Sequence, residues 1–208
     1  MRAAIITPTT GWIHQDLQAL HDRLAARGHK SIIVSDPRQR IDADDDKSRL
    51  KNISKSRNEC VSRFLNTGLD CALWVDSDVV PPDTIIEDLA ALDHPFACAW
   101  VPIRDSGDWI GGRWLPDNEF EPYSATKKFL VETDLPVFAC GLVSRKIMSA
   151  GIEFSPALDC SCLNYSTKQR NYWGESLSFG YDLFRRFRFR AMMTPGVFCK
   201  HERLKRDG

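Results

Sequence analysis

Apolar positions along this chain alternate between short unbroken runs and longer helical spacing. Residues 3–6 (Ala-Ala-Ile-Ile) form such a run and end in Thr7-Pro8-Thr9-Thr10-Gly11; from Trp12 to Ala26, Ile13, Leu17, Leu20 and Leu24 recur at helical spacing until Gly28. The pattern predicts strand, turn and helix. Ser31-Ile-Ile-Val-Ser35 predicts a second buried strand, after which Asp36-Pro37 turns into a polar stretch with Asp42, Asp44, Asp45 and Asp46, read as a solvated loop. Helical spacing resumes over residues 49–66 (Leu50, Ile53, Arg57, Val61, Phe64, Leu65), Gly68 closes it, and Cys71-Ala-Leu-Trp-Val75 is a third buried strand. After Asp76-Ser77-Asp78, Pro81-Pro82 breaks the chain, Asp83 opens a helix to Ala91, and Phe96–Val101 is a further strand. Strands and helices in strict alternation predict an α/β fold with a largely parallel sheet.

The rhythm changes from Asp105 to Thr133. Gly107, Gly111, Gly112, Pro116 and Pro122 separate short strand-like pieces that carry Trp109, Trp114, Phe120 and Tyr123, which predicts a β-hairpin or loop insertion. Val137–Cys140 reads as another strand, Ser144 as the cap of a short helix to Ala150, and Ser176 as the cap of a helix to about Phe187, with two short strands over residues 189–201. No repeat or linker divides the chain, so a single domain over 1–208 is expected, with a nucleotide-binding half at 1–101 and an acceptor half at 102–208.

Composition narrows the classes. The 28 basic and 28 acidic residues cancel, so bulk charge points to neither nucleic acid nor an anionic surface as the main partner, and a charged site must be local. The seven scattered cysteines sit mostly in apolar runs, as small hydrophobes do in a reducing cytosol. The first apolar stretch is too short for a signal sequence or membrane span, so a cytoplasmic protein is expected. Oligomeric state is not legible.

In open α/β sheets ligands bind beyond the carboxyl ends of the strands, where Asp76-Ser77-Asp78 falls. Two carboxylates one residue apart at a turn suit a hard divalent cation that also takes diphosphate oxygens; they also suit a plain polar turn. Asp36, after the second strand, is placed to bond ribose hydroxyls or to serve as a turn residue. Arg57, on the helix leading to the aspartate strand, can meet a phosphate bidentately or form a helix-surface ion pair. His201 ends the last strand and can supply a neutral imidazole as a third metal ligand or remain at the surface. Arg185-Arg-Phe-Arg-Phe-Arg190 reads as an amphipathic helix end and strand, with an anionic acceptor or membrane as its functional alternative.

Ser56-Arg-Asn58 together with Leu73-Trp-Val-Asp-Ser-Asp78-Val-Val-Pro-Pro82 resembles the heart of GT-A-fold glycosyltransferases, especially family-2-like and mannan-polymerase-like sequences. Gly141-Leu-Val-Ser-Arg145 resembles the segment beneath the donor sugar, Trp173-Gly-Glu175-Ser176 the family's Gly-Glu-Asp element, and His201 its closing metal histidine. The resemblance implies a GT-A fold and transfer of a sugar from a nucleotide-diphosphate donor, UDP-linked by preference and GDP-linked next, to a glycan or other hydroxyl acceptor.

It also implies that Asp78 binds Mn²⁺ or Mg²⁺, that Asp76 contacts the ribose or the metal, and that His201 completes the ligands. Thr7, Pro8, Asp36, Arg57, Ser77 and Gly141 then line the donor. Glu175 is the implied general base; because Ser176 replaces the family's acidic residue, the alternatives are Asp182 or a retaining transfer that needs no strong base there, with inversion preferred. Trp109, Trp114 and Trp173 are candidate platforms for the acceptor's apolar sugar faces.

Three other readings compete. Asp76-Ser-Asp78-Val-Val80 also resembles the nucleophile motif of haloacid-dehalogenase-like phosphatases, although two strand–helix units precede it. Cys160, Cys162, Cys199 and His201 form a set that zinc accepts if the segments meet. A binding module that has lost turnover is the third.

Overall fold

The strand marked most clearly by the sequence, β3 (Cys71–Val75), is buried at all five positions, with Ala72 and Trp74 in one core and Cys71, Leu73 and Val75 in another. Strands covered on both faces read as unbroken apolar runs for this reason. The computed structural model describes residues 1–9, 11–35, 46–102, 112–114, 120–122, 130–134, 138–155 and 175–201.

The other elements are β1 (Ala4–Thr9), α1 (Gln15–Ala26), β2 (Lys30–Ser35), α2 (Asp46–Leu65), β4 (Val79–Val80), α3 (Ile85–Ala90), β5 (Phe96–Trp100), β6 (Gly112–Trp114), β7 (Phe120–Pro122), β8 (Val131–Thr133), β9 (Cys140–Ser144), α4 (Arg145–Met148), α5 (Glu175–Phe187), β10 (Ala191–Phe198) and β11 (Lys200–His201). Among the described residues the main sheet has seven strands in the order β2-β1-β3-β9-β5-β10-β8. β9 runs antiparallel to both β3 and β5, and β8 antiparallel to β10, while β1, β2, β3, β5 and β10 point one way. Their carboxyl ends therefore share one edge.

Helices cover both faces. Leu17, Leu20 and Leu24 of α1 and Ile85, Ile86 and Leu89 of α3 fill one core. Cys60 and Phe64 of α2, Ile147 and Met148 of α4, and Phe179 and Leu183 of α5 fill the other.

Several boundaries differ from the sequence expectation. The predicted turn from Thr7 is strand as far as Thr9, with Pro8 opposite Val34 of β2; β3 pairs only with Ala4–Ile6, so Pro8 takes no place in that ladder. α1 starts at Gln15 rather than Trp12, because the His14 ring accepts from the Asp16 N–H as an N-cap. Asp83 does not open α3: its carboxylate takes the Arg23 guanidinium at 2.7 Å, and the helix begins at Ile85. The strand expected at 137–140 is β9, shifted toward the C-terminus, with Gly141 paired to both Trp74 and Cys98. α5 begins at Glu175, which places Ser176 inside the helix rather than at its cap.

The expected hairpin is present as β6 and β7, antiparallel with Gly112 opposite Pro122. Thr133 holds it to the sheet: its hydroxyl donates to the Gly112 carbonyl at 3.0 Å and accepts from the Gly112 N–H at 3.1 Å.

Candidate active site

The chain leaves β3 through a tight turn. The Val79 N–H donates to the Asp76 carbonyl at 3.0 Å, the Asp76 N–H to the Ala139 carbonyl at 3.0 Å, and the His14 N–H to the Ser77 carbonyl at 2.9 Å. Asp76-Ser77-Asp78 is thereby fixed at the shared carboxyl edge between the entry to α1 and the entry to β9.

The two carboxylates diverge. Asp76 Oδ1 accepts from Arg57 Nη2 at 2.9 Å. Asp78 Oδ1 stands 3.7 Å from His201 Nε2, and these two side chains are 21% and 19% exposed, sheltered yet reachable from solvent. His201 arrives there because β11 pairs antiparallel with β4, with His201 opposite Val79. Its Nδ1 lies 2.7 Å from the Pro102 carbonyl. A carbonyl only accepts, so Nδ1 donates there and Nε2 is the nitrogen that faces Asp78. Metal-binding histidines are oriented by such a bond on the other nitrogen.

Arg57 belongs to the core. Its side chain is 6% exposed, and its guanidinium lies 6.0 Å from the Trp74 ring, 5.7 Å from Phe138 and 5.5 Å from Phe154. Aromatic faces stabilise a desolvated cation, and Asp76 supplies the counter-charge at the open end. Asn58 fixes one wall of this cage: its amide donates to the Phe154 carbonyl and accepts from the Phe154 N–H, both at 2.8 Å.

Other predicted site residues fall in varied places. Thr7 is fully buried, with its hydroxyl 2.9 Å from His21 Nε2, and His21 Nδ1 is 2.7 Å from the Ser31 hydroxyl. Burial lowers the His21 pKa to about 4, so that ring is neutral. Pro8 is half-buried in β1, and Gly141 is buried within β9. Glu175 is the first residue of α5; Asp182, half-buried, stands about two turns further along. Trp114 lies in β6. Asp36, Trp109 and Trp173 lie outside the described residues, as do Cys160 and Cys162. Arg145, at the end of the segment read as lying beneath the donor sugar, caps α2, donating to the carbonyls of Leu69 at 2.7 Å, Leu65 at 2.9 Å and Phe64 at 3.3 Å.

Among the described residues no three His, Cys, Asp or Glu side chains converge as a metal-binding group. The pair Asp78 and His201 remains, an oxygen and an imidazole donor that fit a divalent cation completing its shell with substrate oxygens. Cys199 is fully buried, and a hydrogen bond to it, followed by burial, pushes the Cys140 thiol well above its usual range. Its thiol is engaged below the edge occupied by His201.

Sequence reasoning missed one feature here. Trp100 and Phe198, at the ends of β5 and β10, meet edge to face with centroids 5.6 Å apart, and Phe198 is 53% exposed. The signal was strand alternation: Val197 and Cys199 are buried in one core, so Phe198 faces the other way.

No family model and no curated protein sequence matches the chain. Among solved structures it is similar to A197 from STIV, with a TM-score of 0.64 and 14% identity over 98% of this chain and 87% of that one. That neighbour has a GT-A-like fold, and the fold of this chain is of the same type: a mixed, mostly parallel central sheet flanked by helices.

Proposed function

We propose that the protein is a metal-dependent glycosyltransferase that takes a nucleotide-diphosphate sugar, UDP-linked by preference and GDP-linked next, and transfers the sugar to a hydroxyl of a glycan or similar acceptor. The observation that carries this reading is His201, whose Nδ1 is pinned to Pro102 and whose Nε2 faces Asp78 at the carboxyl edge of a GT-A-type sheet.

Asp78 and His201 hold the cation, Mn²⁺ or Mg²⁺. When bound, it neutralises negative charge on the departing diphosphate. Asp76, whose Oδ1 accepts from Arg57, contacts the ribose on this reading. Ser77, Thr7, Pro8, Asp36 and Gly141 complete the donor surroundings on this reading. Glu175, with Asp182 as alternative, accepts the proton of the attacking hydroxyl in an inverting transfer. Trp100 and Phe198 offer the acceptor's sugar ring an aromatic surface beside the site, with Trp109, Trp114 and Trp173 as further platforms.

The phosphatase reading has the weaker support, because its nucleophile motif belongs on the first strand of its domain whereas Asp76 follows β3. Calorimetric titration of UDP and GDP, with and without Mn²⁺, into the wild type and Asp78→Ala tests the assignment. Binding of one nucleotide that needs both the metal and Asp78 is the expected outcome. Absence of metal-dependent binding by either nucleotide overturns it.

A further inference from the structure

We propose that the C-terminal tip of α5, residues Arg185–Arg188, docks on an anionic phospholipid surface. The arginine-aromatic run divides in the structure. Arg190 is committed within the fold, with Nε 2.6 Å from the buried Asp134 and Nη1 3.6 Å from Glu132. Phe189 is half-buried, its ring 5.5 Å from that of His94.

The four residues before it all face solvent, and Phe187 is 50% exposed. Arg185 lies over the Tyr181 ring at 5.6 Å, Arg186 over Phe187 at 5.7 Å and Arg188 over Phe184 at 5.4 Å. Arg186 donates to the Gly151 carbonyl at 3.3 Å, and among the described residues neither Arg186 nor Arg188 is ion-paired.

Backbone conformation at Arg188 supports a role for its side chain. Its φ is +52°, and its N–H donates to the Phe184 carbonyl at 2.8 Å, the left-handed helix cap that favours glycine. An arginine in that conformation is locally unfavourable, and a site where local preference is overridden points to use of the side chain.

The chemistry selects the partner. Guanidinium groups take phosphate oxygens bidentately, and a projecting phenylalanine between them enters the boundary between headgroups and acyl chains. An exposed phenylalanine set between the arginines, rather than a row of cations alone, favours a lipid surface over a nucleic-acid backbone. α5 leads into Ala191 at the start of β10, while His201 follows the far end of that strand, so the patch and the metal pair lie at opposite ends of it. Docking at the tip leaves the Asp78 edge turned away from the lipid.

The test is co-sedimentation of the full chain with phosphatidylcholine vesicles, with and without phosphatidylserine, at low and high salt. Wild type should bind only the phosphatidylserine vesicles and release in salt. Arg186→Gln and Arg188→Gln should each weaken binding about fivefold, and Phe187→Ala by a similar factor. Arg188→Gly separates this role from folding: it should keep or raise the melting temperature while binding vesicles less. Failure of wild type to bind, equal binding to both vesicle types, binding unchanged in Arg188→Gly, or retention on heparin or RNA without vesicle binding overturns the proposal.

Discussion

Arg57 reaches Asp76 from inside the core: its Nη2 donates to the carboxylate at 2.9 Å, while three aromatic rings enclose the rest of the guanidinium. A charge so placed is tied to stability as well as to the site. Arg57→Ala opens a cavity among the rings and leaves Asp76 without this donor, with an expected loss of about 2–3 kcal/mol. Arg57→Lys keeps the charge but loses the planar fork and should recover only part. Urea unfolding checks both, and a cycle with Asp76→Asn isolates the pair; an additive double variant contradicts the coupling.

At the neighbouring carboxylate the expected effect is on binding. His201→Ala should weaken metal-dependent nucleotide binding at least tenfold and leave the melting temperature nearly unchanged, since the side chain lies at the edge. Calorimetry with and without Mn²⁺ reads the first quantity and a thermal melt the second.

Arg145 separates structure from catalysis. It donates to two carbonyls in the last turn of α2 and to that of Leu69 beyond it, and charge-assisted bonds of this type contribute about 1.5–3 kcal/mol each to the groups they satisfy, though not additively. Arg145→Ala should lower unfolding free energy by about 2–3 kcal/mol, with nucleotide affinity of the folded protein unchanged. A selective loss of affinity instead would place it at the donor.

His21 predicts an acid-sensitive stability. The unfolded ring takes up its proton near pH 6.5, whereas burial lowers the folded value to about 4. Between those values the unfolded state binds more protons, so stability present above pH 6.5 falls as pH drops toward 4, by up to about 3 kcal/mol. His21→Gln should be less stable at neutral pH and flatter across the window, as urea midpoints at stepped pH will show.

Thiol chemistry gives a fourth check on the core. Burial pushes Cys60 up to about 12, and Cys60, Cys71, Cys98, Cys140 and Cys199 are buried and outside any disulfide. Iodoacetamide at neutral pH should label these five only after unfolding, as read by peptide mass mapping.

The α/β class, β3, β5 and the long helices were legible because their apolar positions keep one period over their whole length. The aspartate turn was legible from its place after β3 more than from its composition. Arg57 carried its own signal, since it falls in phase with Ile53, Val61 and Phe64 on the buried face of α2, a position that implies burial of whatever stands there. What stayed hidden depends on partners distant in sequence. Cys140-Gly-Leu-Val-Ser144 is short and contains a glycine, so nothing local marks it as a central strand. Arg145 capping α2, and the Pro102 carbonyl that orients His201, arise from chain segments that meet only in the folded protein.

The position of β9 has a consequence for synthesis. β3 and β5 leave the ribosome before the strand that joins them, and until β9 emerges each presents an unpaired edge. Nascent chains that stop after Val101 should therefore be protease-sensitive and prone to edge-to-edge association. β3 and β5 are joined late in translation through one antiparallel strand, and β10 covers the other edge of β5 later still.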